Sequence, residues 1–337
     1  MQPETRIQYN EFCERIAEIN HVPAATDKFS VDPSVQQKLI DKRQESSEFL
    51  SRVNIVPVTE MKGATLGLSV GSPIISNTDT STTGTRTTTS PSSMDSVGYE
   101  CFQNNSDTHI RYALLDAWAK FPDFQTRIQG LITKRQALDN ILVGFNGTSH
   151  AATSNSTTNP LRQDVNIGWL QKLRTDRPEQ ILDEGDKVEG KVTYGPGGDY
   201  ATLDALVYDA VAQLLPSWAA EDTGLVAIVS RDLLHDKYFP LINKAEDPTE
   251  QLARDVIMST KRLGGLQADR VPYFPAAKIF ITRYDNLSIY EQDGKRRRHI
   301  KDVPERDRIE DYQSSNDAYV IEDYDFACLV ENIQYKA

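Results

Sequence analysis

The sequence predicts an α+β protein, and three features carry that reading. Phe121 to Gly147 holds one continuous apolar stripe at helical spacing. Short segments such as Leu225 to Val229 and Lys278 to Thr282 are apolar enough for buried strands. The end of the chain, Ile309 to Gln334, alternates as antiparallel strands do. The 337 residues are 39% hydrophobic and 26% charged, which supports two packed units or one elaborated domain.

The elements follow in order. Tyr9, Phe12, Cys13, Ile16 and Ile19 fall at three- and four-residue steps on one face of an N-terminal helix, with Glu11, Glu14, Arg15 and Glu18 opposite. Thr5-Arg6-Ile7-Gln8 has the form of a capping box. Pro23 stops this helix and Pro33 follows, leaving a breakable linker around Thr26 to Asp32. The unit reads either as a terminal helix docked on the core or as a removable helix that binds a partner. Residues 34–50 are helical again, with Val35, Leu39 and Phe49 among polar neighbours. Asn54 to Val58 and Leu66 to Val70 are strand-like, and strand signals return at Tyr99 to Phe102. Between them, residues 76–93 are nearly all Ser, Thr, Gly and Asp, too polar to form a core. Two extended arms with a polar tip predict a long hairpin projecting from the body, a connection that calls for a function.

The apolar stripe at 121–147 runs through Phe124, Ile128, Leu131, Ile132, Leu138, Ile141, Leu142 and Phe145. Pro122 and Asp123 stand at its start, and Gly144, Asn146 and Gly147 at its end. Residues 148–198 are mostly polar loop with a short helix around Gly168 to Arg174. Tyr200 to Trp218 is an amphipathic helix. Leu225 to Val229 is a strand, and Arg231 to Phe239 and Thr249 to Met258 are helices. Lys278 to Thr282 and Leu287 to Tyr290 are strands, the second followed by an Asp293-Gly294 turn. The chain shows no internal repeat.

The net charge of -12 argues against a sequence-specific DNA binder, which carries a basic footprint. No apolar run approaches the ~18 residues of a membrane span. The N-terminus lacks the layout of a secretory signal, so synthesis in a cytoplasm is expected. Cys13, Cys101 and Cys328 form no CxxC pair and read as buried or half-buried thiols. The five histidines stand in no recognised ligand spacing, so no metal or cofactor is expected. Gly195-Pro196-Gly197-Gly198-Asp199 lacks both the Walker and the dinucleotide patterns. It reads as a tight turn in which Asp199 caps the next helix. Lys295-Arg296-Arg297-Arg298 is a basic cluster followed closely by Asp302, Glu305, Asp307, Glu310 and Asp311. That order favours local or inter-subunit salt bridges over nucleic-acid binding. No nucleophile stands with a base in a known motif, so no catalytic set is expected.

Longer strings then add up to a resemblance. They include ETRIQYNEFCERIAEI from Glu4, FSVDPSVQQKLIDKRQESSEFLSRVNIVPVTEMKG from Phe29, KRQALDNILVGFNG from Lys134 and NPLRQDVNIGWLQKL from Asn159. GGDYATLDALVYD from Gly197, KYFPLIN from Lys237, RVPYFP from Arg270, NLSIY from Asn286 and DAYVIEDYDFACLV from Asp317 continue the series. Together, and in order over nearly the whole chain, they resemble the major capsid proteins of peduovirus-type, contractile-tailed phages.

The resemblance implies the Hong Kong 97-type capsid fold. It implies a scaffold-like propeptide helix at 1–29, an N-terminal arm at 30–53 and an extended loop at 54–103. A peripheral domain is implied at 104–199 and 276–337, with its spine helix at 121–147, and an axial domain at 200–275. The implied partners are further copies of the chain in pentamers and hexamers, an internal scaffolding protein that carries a protease, a portal protein, and packaged double-stranded DNA held without specificity. Maturation cleavage is expected near Phe29-Ser30. Leu66, Leu68, Val70 and Phe102 are expected as the loop's inter-subunit stem, and Lys295, Arg296, Arg297 and Arg298 as an inter-subunit basic cluster. The virion is the implied location, after assembly in the host bacterial cytoplasm. Two rivals remain open: another virion component, such as a tail or portal protein, and a soluble α/β enzyme using the 195–199 loop.

Overall fold

The computed structural model describes residues 1–64, 98–118, 124–242 and 261–336, with residues 69–70, 75, 77–81, 85–86, 88, 92–93 and 121 between them. Its eight described helices are α1 (Pro3–Ile19), α2 (Pro33–Glu45), α3 (Tyr112–Trp118), α4 (Phe124–Asn146), α5 (Trp169–Asp176), α6 (Leu203–Leu214), α7 (Ser217–Ala220) and α8 (Arg231–Ile242). The helix expected at Thr249 to Met258 lies outside the described residues.

One antiparallel ribbon organises the larger sheet. The 14-residue strand Arg308–Ile321 is its centre. Strands Phe102–Asn105 and Thr108–Arg111 run along one side of it in a single register. Leu287–Gln292 and Arg297–Val303 run along the other. Asn54–Val58 adds in parallel beyond Leu287–Gln292, and Phe29–Ser30 pairs with Arg297–Arg298 at the far edge.

The turn expected at Asp293-Gly294 does not reverse the chain. Glu291 faces Asp317 and Arg297 faces Ser314, so the strand resumes in the same direction after a bulge. The reversal comes at Pro304–Arg306, with Asp307 in the left-handed region. Gly294, at φ +66, supplies the bulge's left-handed residue, a role the same dipeptide signal serves as well as a hairpin. The strands at 102–111 and 297–303 escape the sequence because both carry polar residues on both faces.

A six-stranded sheet lies beside the ribbon, in the order Arg262–Leu263, Leu266–Asp269, Val226–Val229, Ile279–Thr282, Cys328–Val330, Ile181–Leu182. Val226–Val229 is buried along its whole length because both faces are covered. Ala227 and Val229 pack with Leu206, Val207 and Ala210 of α6. Ile228 and Phe280 point the other way, towards Phe145, Trp169 and Tyr319. The layer around α6 is therefore completed by strands outside residues 200–275, and a boundary at 275 cuts through one sheet.

Helix α4, with 23 residues, is about 34 Å long at 1.5 Å per residue. Gly144 lets it approach α5: a Cβ there would meet the Trp169 ring, whose Nε1 donates to the Ser288 carbonyl at 3.1 Å. The long helix expected from Tyr200 to Trp218 is split by Pro216 into α6 and α7. Thr202, not Asp199, caps α6, its hydroxyl accepting from the Ala205 N–H at 3.2 Å. Asp199 instead ties its own loop, accepting from the Lys187 N–H at 2.8 Å and the Thr193 N–H at 3.0 Å. No helix among the described residues is long and apolar enough to cross a membrane.

Candidate assembly surfaces

The N-terminal helix is docked. Tyr9 and Ile16 of α1 are buried against Tyr112, Leu115, Ile128, Ile300 and Ile309. Arg6 pairs with Asp302, and the Gln2 N–H donates to Asp116 at 2.9 Å. The capping box expected at Thr5 to Gln8 does not form, because α1 starts at Pro3 and Thr5 is already inside it, fully buried. Pro is at home there, since a first-turn N–H has no intrahelical acceptor. Phe29-Ser30 forms an edge strand with split exposure. Phe29 is buried with α1's apolar residues, while Ser30 faces solvent and donates its hydroxyl to the Gly294 carbonyl at 3.0 Å.

Helix α2 is fixed by charge more than by apolar contact. Asp32 caps it, accepting from the Ser34 N–H at 2.8 Å. Its Arg43 pairs with Glu291, which is 0% exposed, and Arg296 reaches the same carboxylate at 3.1 Å. Gln36 adds an N–H to Glu291 at 3.2 Å. Burial alone would push the Glu291 carboxyl up; the Arg43 and Arg296 guanidiniums override it and hold the group below its ordinary value. Asp317, directly opposite Glu291 on the next strand, behaves differently. Burial, and then the Glu291 charge, push its carboxyl up to about 6. Asn104 and Ser315 donate to it at 3.1 and 2.9 Å.

This cluster was not among the expected sites. A signal for it does exist. Glu291 shares a strand face with Leu287 and Ile289, and Asp317 shares one with Tyr319 and Ile321. A carboxylate in step with two buried apolar residues on each of two strands marks a buried charge that needs a partner.

The hairpin root is a two-stranded pairing of Lys62–Ala64 with Gly98–Glu100, and Ser69–Val70 pairs with Ser92–Ser93 farther out. Leu66 and Leu68 lie outside the described residues, and for Val70 only the backbone is described. Phe102 stands at the base of the hairpin. It lies past the root, paired into the large sheet opposite Asp317, and its ring stacks on His150 with centroids 4.4 Å apart. Tyr99 underlies the root, 2.7 Å from where a Cβ on Gly63 would stand and 4.9 Å between ring centroids from Tyr290. A cleft of about 520 Å³ opens beside it, lined by Lys62, Tyr99, Phe102, Ile167 and Lys172 among others.

The basic run divides in two. Arg296 is buried, donating to Gln313 and Gln136 as well as to Glu291. Arg298 forms a two-pronged pair with Asp311 at 3.1 and 2.7 Å. Both guanidiniums are bonded within the subunit, the local salt bridging that the order of charges also allowed. Lys295 and Arg297 face solvent. The thiols of Cys101 and Cys328 are buried and that of Cys13 half-buried, and burial pushes the Cys101 thiol up to about 12. Among the described residues no cluster of His, Cys, Asp and Glu is placed to hold a metal ion.

Comparisons with known proteins give the arrangement a context. Residues 8–333 match the family model described as phage major capsid protein, P2 family. The chain is 50% identical to a protein of Escherichia phage P2 named capsid proteins, over 99% of this chain and 96% of that one. It is 39% identical to the major capsid protein of Serratia phage KSP20, over 99% and 98% of the two chains. Its structure resembles a chain of the satellite phage P4 procapsid that includes the size determination (Sid) protein. The TM-score is 0.83 at 47% identity, covering 100% of this chain and 99% of that one. A capsid chain of an empty GTA particle shares the fold, with a TM-score of 0.51 at 15% identity over 86% and 90% of the chains.

Proposed function

The chain belongs to the P2 family of phage major capsid proteins, and from that premise we propose that it closes into an icosahedral head shell around packaged double-stranded DNA. It is a capsid protein of the phage virion, it has the Hong Kong 97-type fold, and it assembles with copies of itself. The observation that carries the proposal is its likeness, end to end, to a chain of a phage procapsid.

The finer reading assigns roles to the parts. Residues 54–103 form the extended loop and 30–53 the N-terminal arm, and both grip neighbouring subunits. Residues 104–199 and 276–337, with α4 as spine, form the peripheral unit, and 200–275 form the core of the axial unit. Shell subunits need heterologous contacts that close into rings of five and six. Each contact can be weak, because many act together once neighbours are placed. Before closure, an internal scaffolding protein carrying a protease organises the copies, a portal protein occupies one vertex, and assembly proceeds in the host cytoplasm. The protease then removes residues 1–29. The extended backbone and exposed Ser30 at the junction support cleavage there, and the docked α1 means that trimming also strips a covering from Ile110, Ile300 and Ile309. The net charge of -12 keeps DNA loosely held.

The test is electron microscopy of the chain expressed with and without its scaffold. Closed icosahedral particles are expected. Open tubes or dodecameric rings would favour a tail or portal role instead.

A further inference from the structure

The large sheet contains a conflict that its own strands do not resolve. Glu291 and Asp317 stand directly opposite each other on antiparallel strands, and both are buried. Like charges so placed repel, and little water is present to screen them. Arg296, from the bulge, reaches Glu291 at 3.1 Å, but its remaining bonds go to the amides of Gln313 and Gln136. The second positive charge comes from another element. Arg43 of α2 pairs with Glu291, and its charge also draws the Asp317 carboxyl down. Two guanidiniums therefore meet two carboxylates. The buried charge sums to zero with α2 docked and both carboxylates ionised, or with α2 withdrawn and one carboxyl protonated; Asp317 takes that proton, because Arg296 stays bound to Glu291.

We propose that α2 is a proton-linked latch: its docking expels a proton from Asp317, and protonation of Asp317 loosens it. The proposal concerns the subunit alone and stands whether or not the shell reading does. The side chains bonded to the Asp317 carboxylate are neutral. Asn104 and Ser315 donate neutral hydrogen bonds, and Tyr319 follows on its own strand. From α4, Gln136 is bound to Gln313, and Asp139 is paired with Arg135. Arg162 and His150 line the same cleft, His150 with its Nδ1 at 2.7 Å from the Val165 carbonyl oxygen.

The sign follows from the two states. With α2 docked, the Asp317 carboxyl titrates near 6. With α2 withdrawn it loses the attraction of Arg43, and the latch requires that loss to outweigh the water admitted beside the carboxyl, so that it titrates higher. The withdrawn state therefore binds more protons, and docking weakens as pH falls through the interval that ends near 6. Relative to the unfolded chain the sign is opposite. A carboxyl raised in the folded state gives stability that grows as pH falls from about 6 towards its ordinary value. A local readout is therefore required.

Hydrogen exchange of the full chain, corrected for intrinsic rates between pH 8 and pH 5, supplies one. Protection of residues 33–45 is expected to fall about tenfold, the effect of a one-unit difference in pKa, while residues 203–214 hold steady. Asp317→Asn is expected to show the low value at every pH, and His150→Asn to keep the wild-type dependence. Flat protection in the wild type would overturn the proposal, as would a dependence that survives in Asp317→Asn or disappears in His150→Asn. Should Asp317→Asn also lose protection at 203–214, Glu291→Gln replaces it. That variant removes the partner of Arg43 along with the opposing charge, so low protection of residues 33–45 is expected at every pH, and a wild-type pH dependence that survives in it overturns the latch.

Discussion

Arg43 and Gly144 show how single positions hold this subunit together. Arg43 brings α2 a charge that two buried carboxylates need. Arg43→Ala leaves them one guanidinium short, and removing one partner of a buried pair typically costs about 3–5 kcal/mol. Urea unfolding of the unassembled variant should show a loss of that size, and Arg43→Lys, which keeps the charge but not the fork, a smaller one. Gly144 works by absence, since the Trp169 ring occupies the place of its side chain. Gly144→Ala improves helix propensity yet overpacks this contact, and about 1–3 kcal/mol of destabilisation is expected in the same measurement. Propensity alone predicts the opposite sign. In the sequence, Gly144 reads as a stop signal near the helix end; its closeness to Trp169 is a tertiary fact that no local pattern carries.

At the scale of elements, the bulge after Gln292 decides what the basic run does. It realigns the strand so that Arg298 meets Asp311 and Arg296 turns into the core, while Lys295 and Arg297 stay in solvent. Composition supplied the charges, but the division between inside and outside depends on register, which a one-residue shift would invert. The double variant Lys295→Glu, Arg297→Glu should change subunit stability by no more than about 0.5 kcal/mol, the usual range for exposed sites. A reduced assembly yield, measured by sedimentation, is expected if these two exposed charges meet a neighbour; an unchanged yield would remove them from the interface. Helix α1 makes its own prediction. Intact mass of the protein from mature particles should correspond to a chain beginning at Ser30. A full-length mass would show that α1 is a permanent part of the body.

For the molecule as a whole, long apolar patterns were legible and polar strands were not. The stripe through Ile128, Ile141 and Phe145 fixed α4, and the unbroken apolar run at Val226–Val229 marked a strand covered on both faces. The strands at 102–111 and 297–303, which complete the ribbon, hold Asn, Gln, His, Arg and Lys on both faces and carry no period. Their pairing is enforced by the long strand Arg308–Ile321, and so by contacts remote in sequence. The recurrent strings identified the family where periodicity could not. The proposed division of labour is a packed body that folds alone and appendages that make the shell.

Deleting residues 76–93 tests that division most directly, with the variant followed by circular dichroism and by sedimentation in the presence of its scaffold. A normally folded subunit that fails to give stable closed shells is the expected result. Shells formed at wild-type yield and with wild-type stability would contradict the account.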